Sequence, residues 1–468
     1  MGTCPLAFWG RIPGMSTATL VRPFLSTTLL LAVGLAVASL AQPSPVTRPN
    51  VLLIIADDMG YGDIGAYGAT DTRTPHLDRL AAEGVRLTDF YANAPVCTPT
   101  RAALMTGRYQ QRLMLERPLA SVGPDLDAEL PVTGRSLPQV MKDAGYRTAL
   151  IGKWHLGYRP EAGPRAHGFD YFWGFLSGYL DWYTHVRGDG QHDVWENETP
   201  VHVDGYFHHE TTRRAQAELD RSVAEGRPFF LEVAYGAPHW PFQSPSVPSV
   251  AERRNNSMTP DPSDPAAATR REYVAIMEDF DAEIGRLLER LRHHGIERDT
   301  LVIFMSDNGG EWLSRNSPLF HRKDTVWEGG VRVPAIFRWP ARLPRGRVSG
   351  QVGITMDVSA SVVAAAGVVR SDLGFEGLDL VDLLASGRAV ERELLWRVIR
   401  PNVQQRAVRA GDFKYVEDGG QRFLFNVRTD PGERADLTSR DPARVRALRE
   451  RIAAWEADVD GEARRGQR

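Results

Sequence analysis

The chain has 468 residues, 42% of them apolar and 25% charged, with a formal net charge of −3. These proportions describe a globular protein with a large core, at this length in two domains, and exclude a collagen, a coiled coil or wholesale disorder. With no long basic run and a slightly acidic balance, a nucleic-acid binder held by charge is excluded too.

The N-terminus reads as an export signal. Arg22 is its basic flank, "LLLAVGLAVASLA" (29–41) its apolar run, and Ser39 and Ala41 the small residues at the cleavage site. The run is short for a membrane span. The mature chain is therefore expected in the periplasm or outside the cell, with no stable membrane anchor; the alternative is an uncleaved anchor. Residues 1–14 resemble neither signal nor domain, so Met15 is a candidate start. Cleavage after Ala41 removes Arg11, Arg22 and Cys4, leaving 54 basic residues against 59 acidic ones and a single cysteine, Cys97.

The domain opens with Val51–Ala56, a continuous apolar run that suits a strand buried on both faces. It stops at Asp57-Asp58. A helix follows, with Thr74 as cap, Pro75 in the first turn, Leu77, Leu80 and Ala81 inward, and Gly84 as the stop. In "CTPTRAALMTG" (97–107), Thr98 is expected to cap a helix that Pro99 begins and Gly107 ends. Another helix is expected over 136–145. Strands are expected at 147–151, 229–234 and 301–305, and a long amphipathic helix over 270–294. Residues 244–268, rich in Pro, Ser and Asn, read as a surface loop. From about 386 the pattern becomes short strands with a hairpin turn at Asp418-Gly419-Gly420, then one helix and a frayed tail. The fold expected is α/β: a large mixed, mostly parallel sheet with helices on both faces, plus a small C-terminal antiparallel sheet with one helix. The divisions are 1–41 signal, 42–385 catalytic domain and 386–468 C-terminal subdomain.

Ligands of open α/β sheets bind beyond the carboxyl ends of the strands. Four strands here lead to Asp57-Asp58, to Lys153 and His155, to His239, and to Asp307-Asn308. Packed together, the three acids would repel without a cation, and an all-oxygen set suits Ca²⁺ or Mg²⁺. The alternative is that Asp57 and Asp58 cap a turn. Cys97 falls at a helix N-terminus, where an anion is favoured. Arg101 lies one turn further on, and Lys153 and Lys323 could meet the anion's oxygens. The chain has four lysines, Lys142, Lys153, Lys323 and Lys414, among 56 basic residues, so each warrants inspection. His155 and His239 could move protons. Bland readings stand beside these: Cys97 inert in the core, His239 on the surface, Lys323 in a solvated turn. His185 reads as aromatic packing, and His208-His209 and His293-His294 as surface or helix-end residues.

The residues gathered so far resemble those of the type I, formylglycine-dependent sulfatases of the alkaline phosphatase superfamily. "CTPTRAALMTG" matches their C-x-P-x-R signature and "GYRTALIGKWH" their second signature. "NVLLIIADDMGYGD", "APHWP", "SDNGG", "WEGGVRVP" and "FNVRTDPGERADL" extend the likeness over 49–437. The resemblance implies an arylsulfatase-like hydrolase of aryl or carbohydrate sulfate esters. It implies that a formylglycine-generating enzyme oxidises Cys97 to an aldehyde. One hydroxyl of the hydrated aldehyde, activated by the metal and a carboxylate such as Asp307, attacks sulfur; His239 protonates the leaving alcohol, and His155 helps the second hydroxyl expel sulfate. Arg101, Lys153 and Lys323 hold the sulfate oxygens, with Ser177 as a further contact. Asp57, Asp58, Asp307, Asn308 and the modified Cys97 carry over as Ca²⁺ ligands, with Mg²⁺ as the alternative ion. The turn Arg322-Lys323-Asp324 departs from the glycine-rich form usual in the family. Two rival readings are a phosphate or phosphonate monoester hydrolase of the same superfamily and a non-catalytic sulfoglycan-binding protein.

Overall fold

The computed structural model describes residues 1, 48–246, 268–369 and 371–466. The export signal, Cys4 and most of the 244–268 loop lie outside the described residues. From residue 48 onward the chain is one compact unit.

A ten-stranded sheet organises it. In order, its strands are Arg347–Ser349, Val85–Leu87, Ala335–Arg338, Thr300–Ser306, Asn50–Ala56, Phe229–Ala234, Arg147–Lys153, Tyr171–Phe175, Trp195–Glu196 and Thr199–Pro200. The five from Thr300–Ser306 to Tyr171–Phe175 run parallel. The sheet is mixed because Ala335–Arg338 and the short strands after Phe175 run antiparallel to their neighbours. The central strands are mostly apolar because both faces are covered, as parallel pairing requires. Val51, Leu53 and Ile55 pack on one side with Ala102, Leu104, Val358 and Val362 of the helices Cys97–Thr106 and Thr355–Ala365. Leu52 and Ile54 pack on the other with Leu77, Leu219 and Ile276 of the helices Pro75–Glu83, Phe207–Ala224 and Arg270–His293.

The strands Glu393–Arg400, Val403–Ala410, Phe413–Asp418 and Gln421–Asn426 form a separate antiparallel sheet, as the hairpin signals indicate. The helix Pro442–Gly466 packs on it through Leu448, Ile452, Trp455 and Val459. The expected fray is corrected here. The helix continues to Gly466 because Ala463 is buried and Glu462 pairs with Arg108 and Arg112, each at 2.8 Å.

Candidate active site

Register builds the centre. Asn50–Ala56 pairs in parallel with Thr300–Ser306, Ala56 opposite Ser306, so Asp57 and Asp307 leave the sheet side by side. The Asp307 N–H donates to the Ala56 carbonyl at 3.0 Å and the Asp58 N–H to Asp307 Oδ1 at 3.3 Å. Asn308 Nδ2 donates to Asp58 Oδ1 at 2.7 Å. On the other side of Asn50–Ala56, Phe229–Ala234 leads to His239, and one strand further Arg147–Lys153 delivers Lys153 and His155. Asp58 (φ 64°) and His155 (φ 56°) both have left-handed backbone, a strain of roughly 1–3 kcal/mol each that is typical of functional positions.

Three carboxylates face three fixed cations. Lys153 Nζ lies 2.7 Å from Asp57 and Lys323 Nζ 2.6 Å from Asp58. Arg101 reaches Asp307 at 2.9 Å and Asp57 at 4.0 Å. All six residues are buried. Burial holds the Asp57 carboxyl well above the usual range against the pull of Lys153, and Asp307 and Asp58 add to the rise. Burial acts on Asp58 in the same direction, but Lys323, His239 and Lys153 outweigh it and hold that carboxyl low. Burial lowers His155 and His239 well below the ordinary imidazole value; Lys153 adds to the first shift, and Asp58 opposes the second.

Cys97 is the first residue of the helix Cys97–Thr106, which corrects the expected start. Thr98 does not cap it: its hydroxyl donates to the His155 carbonyl at 3.0 Å and accepts from the Leu119 N–H. Tertiary bonding has taken the group that local capping would use. Thr74 behaves similarly, accepting from the Gly65 N–H instead of capping its own helix. Gly107 closes the Cys97 helix at φ 64°, and a Cβ there would meet the Phe375 ring at 2.5 Å. Cys97 is buried, and its Sγ lies 3.1 Å from His155 Nδ1. His155 Nε2 faces the Leu119 carbonyl at 2.9 Å and must donate to it, so in the neutral ring Nδ1 carries the lone pair that faces residue 97. His239 is oriented in the same manner: Nδ1 donates to the Trp240 carbonyl at 2.5 Å, and Nε2 faces Asp58 at 3.4 Å and Lys323 at 3.5 Å.

Two of the expected sulfate contacts also bond within the protein. Arg101 is turned to the protein, with Nε and one terminal nitrogen on Asp307 and the other on the Lys153 carbonyl. Its guanidinium holds the acids in place. The Ser177 hydroxyl donates to the Tyr179 carbonyl at 2.9 Å, and its N–H to Asp193.

The residues fit a divalent cation. Asp57 Oδ1 and Asn308 Oδ1 are buried with no hydrogen-bond partner among the described residues, although each such oxygen costs about 1–3 kcal/mol when unmet. Both are hard oxygen donors suited to Ca²⁺ or Mg²⁺. Ligand atoms of Asp57, Asp58 and His239 lie within 4.8 Å of one another, so the histidine ring borders the same space.

The sequence reading missed two buried groups and gave a third, Lys414, no role. Glu232, in the middle of Phe229–Ala234, has an Oε2 with no hydrogen-bond partner among the described residues and is pushed up to about 7 by burial, against Arg101. Glu311 is pushed up to about 7 by burial and by Asp58. Lys414 is fully buried between Glu328 and Glu433, at 2.9 and 3.1 Å. Lone charges in otherwise ordinary stretches gave no spacing signal. The surface reading of His208 is corrected: its ring is buried against Trp182, because Phe207–Ala224 begins inside the aromatic core, while His209 faces outward to Glu283. His185 packs against Phe207 as expected.

The sequence model of the Sulfatase family matches residues 49–368. The chain is 34% identical over 391 residues to the N-acetylgalactosamine-6-sulfatase of Canis lupus familiaris, covering 79% of this chain and 71% of that one. It is 30% identical over 473 residues to arylsulfatase J of Mus musculus, covering 89% and 77%. Among solved structures, Ps i-CgsB in complex with k-i-k-neocarrahexaose matches with a TM-score of 0.79 at 28% identity, over 87% of this chain and 92% of that one.

Proposed function

Because the chain belongs to the sulfatase family and is a sulfuric ester hydrolase, we propose that it releases inorganic sulfate from an aryl or carbohydrate sulfate ester at the centre around Cys97. The observation that carries this reading is the 3.1 Å approach of Cys97 Sγ to the lone-pair nitrogen of His155, beside three carboxylates and two ammonium groups.

Converted to formylglycine by a maturation enzyme, residue 97 would supply a hydrated aldehyde, with one hydroxyl to attack sulfur and a second to expel sulfate. Oxygens of Asp57, Asp58, Asp307, Asn308 and the modified residue 97 would hold a Ca²⁺ or Mg²⁺ ion, which would supply positive charge at the centre. The chain's own groups do the rest. His155 is kept neutral by burial and fixed in one tautomer by Leu119, so Nδ1 takes a proton from residue 97. Lys153 and Lys323 are point charges that meet sulfate oxygens as these gain charge in the transition state. Arg101 positions Asp307 and Asp57. His239 must carry a proton on Nε2 to serve the leaving alcohol, and Asp58 at 3.4 Å favours that form. Ser177 is proposed at the edge of the substrate site. The enzyme is proposed to act after export, in the periplasm or outside the cell.

The test joins two measurements on the purified protein: the mass of the peptide bearing residue 97, and turnover of 4-nitrophenyl sulfate and of sugar sulfates. Activity should scale with the fraction in which CH₂SH has become CHO, and should rise when the modifying enzyme is co-expressed. Equal turnover by unconverted protein would overturn the reading.

A further inference from the structure

Glu311 stands just past the Asp307–Asn308 pair and is 7% exposed. Its Oε1 accepts from Arg322 at 3.2 Å, while its Oε2 is buried with no hydrogen-bond partner among the described residues. A buried carboxylate oxygen without a donor is costly to keep, and a ligand hydroxyl would satisfy it. The surroundings are those of a small binding site. Glu311, Trp312, His321 and Arg322 line a cavity of about 320 Å³. Trp312 is 50% exposed, with the Arg322 guanidinium 3.6 Å from its ring centroid, so an aromatic surface stands at the cavity's edge. This wall is joined to the reaction centre. The Lys323 N–H donates to the Gly310 carbonyl at 3.1 Å, and the same lysine's ammonium reaches Asp58. The carboxyl of Glu311 lies within electrostatic reach of both Asp58 and Lys323.

We propose that Glu311 is a specificity-determining residue whose free carboxylate oxygen accepts a hydrogen bond from a hydroxyl on the alcohol half of the ester, with Trp312 against the same ring. The substrate class this selects is a sulfated sugar. A plain aryl sulfate has no hydroxyl to offer and leaves the oxygen unmet, and sites built to bond a hydroxyl discriminate strongly against partners that lack it. An aromatic ring beside a hydroxyl-reading carboxylate also matches the two faces of a pyranose, one apolar and one polar. The proposal rests on the sulfatase reading, since its ligand is the alcohol of that reaction.

The experiment uses the converted full-length enzyme with two kinds of probe: 4-nitrophenyl sulfate, and a panel of galactose, N-acetylgalactosamine and glucosamine monosulfates. Wild type should hydrolyse at least one sugar sulfate. Glu311→Ala should lower kcat/KM on that sugar by about 10–100-fold, as expected for losing one charge-assisted hydrogen bond. That loss should exceed the loss on 4-nitrophenyl sulfate at least about tenfold. Glu311→Gln keeps a carbonyl acceptor and should recover part of the sugar activity, mainly through KM. Should the alanine variant not fold, a sugar-selective rise in KM in Glu311→Gln is the expected result, and its absence overturns the assignment. Proportional losses on both kinds of ester, or a wild type that hydrolyses 4-nitrophenyl sulfate and no sugar on the panel, also overturn it while leaving the sulfatase reading intact. A wild type inactive on every sulfate ester removes the underlying reading instead.

Discussion

The Nδ1 atom of His155 lies 3.1 Å from the Sγ of Cys97, in a ring whose other nitrogen is anchored on the Leu119 carbonyl. The left-handed backbone of His155 and its pairing with Thr98 through the carbonyl keep that ring aimed at the helix start. A base so placed should act in the chemical step more than in binding. His155→Ala should lower kcat by about 10²–10⁴-fold, the range for one general base, with KM changing little. Cys97→Ala should fold normally, since it removes one small buried group, and should have no turnover. Steady-state kinetics and a thermal melt check both; a His155→Ala enzyme within tenfold of wild-type kcat would remove the base assignment.

The unmet oxygens Asp57 Oδ1 and Asn308 Oδ1 yield a metal prediction with a readout besides activity. Chelator-treated protein should lose turnover, and Ca²⁺ or Mg²⁺ should restore it. The same ion should raise the melting temperature of the treated protein, because an ion that binds only the folded state stabilises it by mass action. Asp57→Ala removes one of these oxygens and should blunt that rise. Full activity in protein shown by elemental analysis to be metal-free would contradict the proposal.

The four lysines should separate by environment. Lys142 pairs with Asp170 at 3.0 Å on a half-exposed helix, and Lys142→Arg should be silent. Lys153→Arg and Lys323→Arg should each cost about a hundredfold in activity, because the wider fork cannot occupy the ammonium's place between carboxylate and sulfate. Lys414 joins Glu328, at the end of the lysine-bearing turn, to Glu433 of the C-terminal part. Lys414→Met should leave the buried Glu433 without its cation, while Glu328 keeps Arg332 at 3.1 Å, and should cost about 3–5 kcal/mol of stability. Kinetics for the first three and urea unfolding for the fourth would detect any other ranking.

What the sequence disclosed follows from how each feature is encoded. Asp57-Asp58 and Asp307-Asn308 were legible because each ends a continuous apolar strand, and parallel register then brings adjacent strand ends together. The helix at Cys97 was legible from Pro99 and Gly107, yet its first residue was misjudged because Thr98 bonds to a loop 57 residues away. Arg101 was expected to face an anion; its bond to Asp307 was not foreseen, because no local pattern reveals a partner 206 residues away. Glu311 and Lys414 carried no periodic or spacing signal, since their partners come from distant segments. His208 was misread because a His-His pair at a helix start resembles a solvated end, whereas the preceding Phe207 drives that turn into the core.

His208 supplies the pH prediction. It is fully buried, its ring centroid 4.6 Å from that of Trp182 and 5.0 Å from that of Tyr206, and neither ring nitrogen has a hydrogen-bond partner among the described residues. Burial, with His209 and His185 adding to it, pushes the imidazole down from 6.5 to about 3. The sign follows from which state binds the proton. As pH falls below 6.5 the unfolded chain protonates His208 while the folded chain does not, so stability is lost as pH drops from about 6.5 toward about 3. One such residue contributes a slope of about 1.4 kcal/mol per pH unit inside that window. His167, also pushed down by burial to about 4, adds a slope of the same sign over a narrower range. His208→Phe keeps an aromatic ring in the cage and removes the proton site. It should match or exceed wild-type stability near neutral pH, and its acid-side slope should be shallower by about 1.4 kcal/mol per pH unit, with the share of His167 remaining. Urea unfolding followed by tryptophan fluorescence at several pH values measures both slopes. Parallel curves for the two proteins would mean that the native ring takes up its proton at the ordinary value, and that the aromatic cage does not exclude charge.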